Sequence, residues 1–83
     1  MINRTSWLAM RTRWKFSARG NLWRGLPSGA GVLTVFKDRS GHGWRYCISL
    51  DGEEPIFSPD IYRTRQQAKD ACAAEATREW EAA

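Results

Sequence analysis

The residues best equipped for chemistry are the cations, and their spacing matters more than their number. Arg13, Lys15 and Arg19 recur at even spacing with Ser17 between them, and Arg45 with Ser49 repeats the pattern further along. In an extended chain alternate side chains share a face, so each run presents its cations to one side. Arg24, Lys37 and Arg39 fall near the ends of neighbouring strand-like runs. Strands in a sheet lie about 4.8 Å apart, so Arg13, Lys15, Arg19, Arg24, Lys37, Arg39 and Arg45 together form a patch on the expected open face. Such a patch neutralises phosphates and releases counterions, and guanidinium forks read guanine edges where they reach a groove. Trp7 and Trp23 add rings that stack on single-stranded bases or anchor a protein partner.

Other chemistry has weaker support. His42 is the one histidine, placed in a glycine-flanked turn with no nucleophile beside it, and a general base needs such a partner within hydrogen-bond reach. Gly29-Ala30-Gly31 has the glycines of a phosphate loop but neither the Lys-Ser/Thr nor the helix that must follow. Asp51, Glu53 and Glu54 make an acidic turn without the alternate-position ligands of a divalent-cation loop. Cys47 and Cys72 stand far apart with no C-x-x-C, which argues against a zinc site or a disulfide scaffold. The expectation is a non-enzymatic chain with no catalytic residues, metal, cofactor or small-molecule substrate.

Charge is divided unevenly along the 83 residues. Residues 1–37 hold seven Lys/Arg and no acid, whereas residues 38–83 hold six Lys/Arg and nine Asp/Glu; +7 and −3 sum to the net +4. Arginine outnumbers lysine ten to three, and its planar fork suits phosphate and base recognition. The same alternation is also what a merely solvated sheet face looks like. No apolar run approaches the ~20 residues of a membrane span, and arginines interrupt Trp7-Leu8-Ala9-Met10, so a secretory leader is not indicated. A reducing, cytoplasmic setting is expected.

The elements that must position these residues follow from periodicity. Trp14, Phe16 and Ala18 alternate with Arg13, Lys15, Ser17 and Arg19, as in a strand with one buried face. Gly20-Asn21 supplies a turn, and Leu22-Trp23-Arg24 a short return strand. Residues 26–31 read as a loop, and Val32–Lys37 as a strand rich in β-branched and aromatic residues. After the turn at 38–43, Trp44, Tyr46, Ile48 and Leu50 alternate with Arg45, Cys47 and Ser49. Asp51-Gly52 is a further turn, and Pro55-Ile56-Phe57 a short edge strand, where proline is tolerated. Thr64 and Gln67 fit a capping box. Ala68, Ala71, Cys72, Ala76 and Trp80 then recur at spacings of three and four as one apolar stripe.

These readings give a single α+β domain over residues 1–83. A small antiparallel sheet of three to four strands, with Pro55–Phe57 as a candidate extra edge, packs on one C-terminal helix spanning about 64–80. Residues 1–12 are a candidate flexible arm. The parity of Trp44, Tyr46 and Ile48 toward the helix sends Cys47 to the opposite face while Cys72 sits on the helix stripe, so both thiols are expected to be free.

Gly43-Trp44-Arg45-Tyr46-Cys47-Ile48 and, after a turn, Ile61-Tyr62-Arg63-Thr64-Arg65-Gln66-Gln67-Ala68-Lys69-Asp70-Ala71 resemble the arm-type, AP2-like N-terminal domains of phage-type integrases. Those domains have a Gly-Trp strand followed by an aromatic-x-Thr-x-x-x-Ala helix entry. The chain is similar, too, to small prophage proteins with this entry. The resemblance covers roughly the last 50 residues; the first 25 have no counterpart in it. It implies a three-stranded sheet, backed by one helix, that lays its open face on DNA. DNA or RNA is therefore the expected partner, with a protein-binding or inhibitory module, including a homodimer, as the alternative.

Overall fold

The computed structural model describes residues 14–26 and 29–82, with side chains described to Glu79. Arg13, Trp7, the whole 1–12 segment and the side chain of Trp80 lie outside that description. Among the described residues five strands precede one helix: β1 (Lys15–Phe16), β2 (Leu22–Gly25), β3 (Gly31–Lys37), β4 (Trp44–Leu50), β5 (Ile56–Phe57) and α1 (Arg65–Ala82). All neighbouring strands are antiparallel and run in chain order, β1-β2-β3-β4-β5. The α+β architecture expected from the sequence is present, with both β1 and β5 as two-residue edges.

Turn chemistry explains the meander. Gly20 takes φ 84°, a left-handed conformation open to glycine at little steric cost, and its N–H donates to the Ser17 carbonyl at 2.9 Å. Between β3 and β4, Ser40 donates to the Asp38 carboxylate from its backbone N–H at 3.0 Å and its hydroxyl at 2.6 Å. These bonds hold the Asp38 carboxyl below its usual range. Ser58 extends β4's pairing beyond β5: its N–H donates to the Tyr46 carbonyl at 2.9 Å, and its hydroxyl accepts from the Tyr46 N–H at 3.3 Å.

The helix begins where the capping box places it. Thr64 Oγ1 accepts from the Gln67 N–H at 3.1 Å, and Gln67 Oε1 accepts from the N–H groups of Thr64 and Arg63 at 3.3 and 3.1 Å. Otherwise those first-turn donors would lack partners. Ala68, Cys72 and Ala76 are fully buried against Leu33, Val35, Tyr46 and Ile48, and α1 packs on β3 and β4. Three small side chains at spacings of four let the helix axis lie close to the sheet.

The first strand is shorter than its alternation suggests. Pairing ends at Phe16, and Ser17, Ala18 and Arg19 belong to the turn. Phe16 lies opposite Leu22 on the helix side yet is 65% exposed. The reason is geometric: α1 sits over β3 and β4, and β1 is two strands away. Cys47 and Cys72 are on opposite sides of the sheet, as parity requires, and both are free. No described helix is long and apolar enough to cross a membrane.

Candidate nucleic-acid interface

Register fixes which side chains share the face that α1 leaves open. Directly opposed residues of antiparallel strands point the same way. One row runs Lys15, Trp23, Thr34, Cys47, Phe57 across all five strands. The next row toward the β3–β4 turn holds Phe36 and Arg45, and the row on the other side holds Val32 and Ser49. Helix-side residues alternate with these: Leu22, Arg24, Leu33, Val35, Tyr46 and Ile48. Of the described elements, α1 is the one packed on the sheet, and it covers that second set.

The open face is as aromatic as it is basic. Phe57 is 56% exposed, and Trp23 and Phe36 are half-buried. Phe36 and Phe57 meet edge to face with ring centroids 6.5 Å apart. Lys15 Nζ lies 5.5 Å from the Trp23 ring centroid, within range of a cation–π contact. Arg45 donates from Nη2 to the Ser58 carbonyl at 2.9 Å, and its buried Nε has no hydrogen-bond partner among the described residues. The guanidinium is thereby tethered to the rim of the face. Burial raises the Cys47 thiol above its ordinary value.

Six of the seven cations expected to form one patch are described, and they divide three ways. Lys15 and Arg45 share the open face. Arg19 and Arg39 occupy the 17–21 and 38–43 turns, and Lys37 ends β3 on the helix side with Nζ 5.9 Å from the Trp44 ring centroid. Arg24 does not join the patch. It lies opposite the fully buried Leu33 and is 6% exposed, because β2 turns Trp23 outward and therefore Leu22 and Arg24 inward. Burial pushes the Arg24 pKa down. Arg13 and Trp7 lie outside the described residues.

A second feature emerges at one end of the sheet. The turns at 17–21 and 38–43 project from the same end, where Tyr62 pairs with Trp44 and α1 starts. Arg19, Lys37, Arg39, Arg63 and Arg65 collect there with Asp38 and Asp60. Arg65 lies 5.0 Å from the Trp44 centroid and 5.6 Å from that of Phe16, and the positive end of the helix dipole adds to the same potential. The opposite end carries Asp51, Glu53 and Glu54 in the segment between β4 and β5.

Phe36 and Phe57 were not singled out in the sequence. In β3 both parities are apolar, Val32-Thr34-Phe36 against Leu33-Val35, so alternation there does not reveal the outward set; a two-residue strand gives Phe57 no period at all. Two shallow grooves, of about 510 and 500 Å³, lie beside Trp14 and Lys69 and beside Val32 and Ser49. No cluster of three or more His, Cys, Asp or Glu among the described residues is arranged to hold a metal. Comparison with family models, curated proteins and solved structures gives no match to this chain.

Proposed function

We propose that this protein is a small non-enzymatic nucleic-acid-binding module that uses the open face of its sheet. The observation that supports this reading most directly is the distribution of charge. All nine carboxylates fall in turns, in the segment after β5 or in α1, and none lies on a described strand. The uncovered face instead presents Lys15, Arg45 and three rings, and five further cations sit at one end of it. A polyanion on that surface meets seven cations against two carboxylates, Asp38 and Asp60, at the basic end.

Fluorescence anisotropy with labelled DNA and RNA, single-stranded and duplex, tests the reading. With three to five phosphates neutralised, affinity falls about 20- to 130-fold for a single strand, and about 40- to 500-fold for a duplex, between about 50 and 200 mM salt. Lys15→Glu combined with Arg39→Glu weakens binding and flattens that dependence. Absence of binding to every probe at about 50 mM salt removes the proposal.

The second reading, a protein partner, is favoured by the exposure of Phe57 and Val32 on the same face. Its signature is salt-tolerant capture from nuclease-treated lysate, lost on Phe57→Ala and retained on Lys15→Glu.

A further inference from the structure

We infer that the ligand of this face is a single strand with unpaired bases, stacked on Trp23 and on the Phe36–Phe57 pair. The inference rests on the nucleic-acid reading above and narrows it to one substrate class. Trp23 is on β2 and Phe57 on β5, three strand spacings apart, or about 14 Å. A B-form major groove is ~12 Å wide and admits a helix or a two-stranded ribbon. A surface whose contact residues spread over four strands does not enter it face-on.

The chemistry agrees with the dimensions. A duplex hides its base faces and offers phosphate and sugar, against which apolar rings such as Phe57 gain little. Unpaired bases offer flat apolar faces, and stacking tolerates any sequence because every base has one. Arg45 fits the same role. Its bond to the Ser58 carbonyl holds the guanidinium near the sheet, where it meets a phosphate or a base face and does not extend as a free fork into a groove. Lys15, directly opposite Trp23, supplies a cation beside the first ring. The phosphates continue toward Arg19 and Arg39 at the basic end, since the other end is acidic.

The test compares a labelled oligothymidylate of about 16 nucleotides with a blunt duplex of the same length in one low-salt buffer. The single strand is expected to bind at least ~10-fold tighter and to quench tryptophan fluorescence. Trp23→Ala is expected to weaken it about 5- to 150-fold, the range for loss of one stacked base. Phe57→Ala, on an exposed two-residue edge strand, provides a variant whose folding is not at stake, with circular dichroism confirming both. Equal or tighter duplex binding, with both ring variants neutral, overturns the single-strand inference and leaves the nucleic-acid reading standing. Failure of both probes to bind overturns both and leaves the face to a protein.

Discussion

Cys72 and Cys47 occupy different sides of the sheet and differ accordingly as thiols. Cys72 is fully buried under the helix, and burial pushes it from an ordinary 9.0 to about 12. Cys47 lies half-exposed on the open face, its thiol raised less. Since the thiolate is the reactive form, iodoacetamide near pH ~8 is expected to modify Cys47 slowly and to spare Cys72 until denaturant is added. Equal labelling of both in the native protein, read by peptide mass, rules out this placement. Tyr46 behaves like Cys72: desolvation raises it from 10.0 to about 12. Both groups hold their protons more tightly folded than unfolded. Their contribution to stability is complete below the unfolded values, 9.0 for Cys72 and 10.0 for Tyr46, and is lost as pH rises through about 12. Urea midpoints are expected to fall between about pH 9 and 11, less steeply in Tyr46→Phe; a flat profile contradicts this.

At the scale of elements, two short devices fix the junction between sheet and helix. The first is the reciprocal cap between Thr64 and Gln67. Thr64→Ala is expected to cost about 1 kcal/mol in chemical denaturation, with Thr64→Ser close to wild type. The second is the close approach of the Tyr62 backbone to Gly43. A Cβ on Gly43 would strike the Ile61 side chain and come within 2.8 Å of the Tyr62 carbonyl oxygen. Trp44 and Tyr62 exchange two backbone hydrogen bonds of 2.8 Å beside it. Gly43→Ala is therefore expected to cost about 1–3 kcal/mol, since backbone must move to relieve the contact. An unchanged urea midpoint would show that the 58–62 segment yields freely. The same junction brings Arg65 onto the Phe16 and Trp44 rings, so the elements that close the fold also build its basic end.

At the scale of the molecule, the net +4 is less informative than its arrangement. The basic and acidic ends of the sheet give the domain a polarity along its strands, and the open face lies between them. Arg19→Glu and Arg39→Glu are each expected to lower the salt slope of single-strand binding by about 0.7 per lost phosphate contact. Glu53→Gln and Glu54→Gln, at the far end, are expected to change it little. A response of equal size at both ends would mean that overall charge, and not position, governs affinity.

Much of the local structure was legible because it depends on short-range rules. The capping box, the helix stripe from Ala68 to Ala76 and the parity of β4 each arise from residues a few positions apart, and each appears where alternation or spacing puts it. The sides occupied by Cys47 and Cys72 follow from the same parity. What the linear order could not supply was which strand lies under the helix and which lies beside it. Arg24 looks like a strand-end cation until its register with Leu33 turns it inward, and Phe16 looks buried until α1 is found over β3 and β4. Phe36 and Phe57 join one surface through pairing between strands distant in sequence. Periodicity determines a side chain's direction within its own strand, whereas cover and company depend on packing between elements, and that is decided in three dimensions.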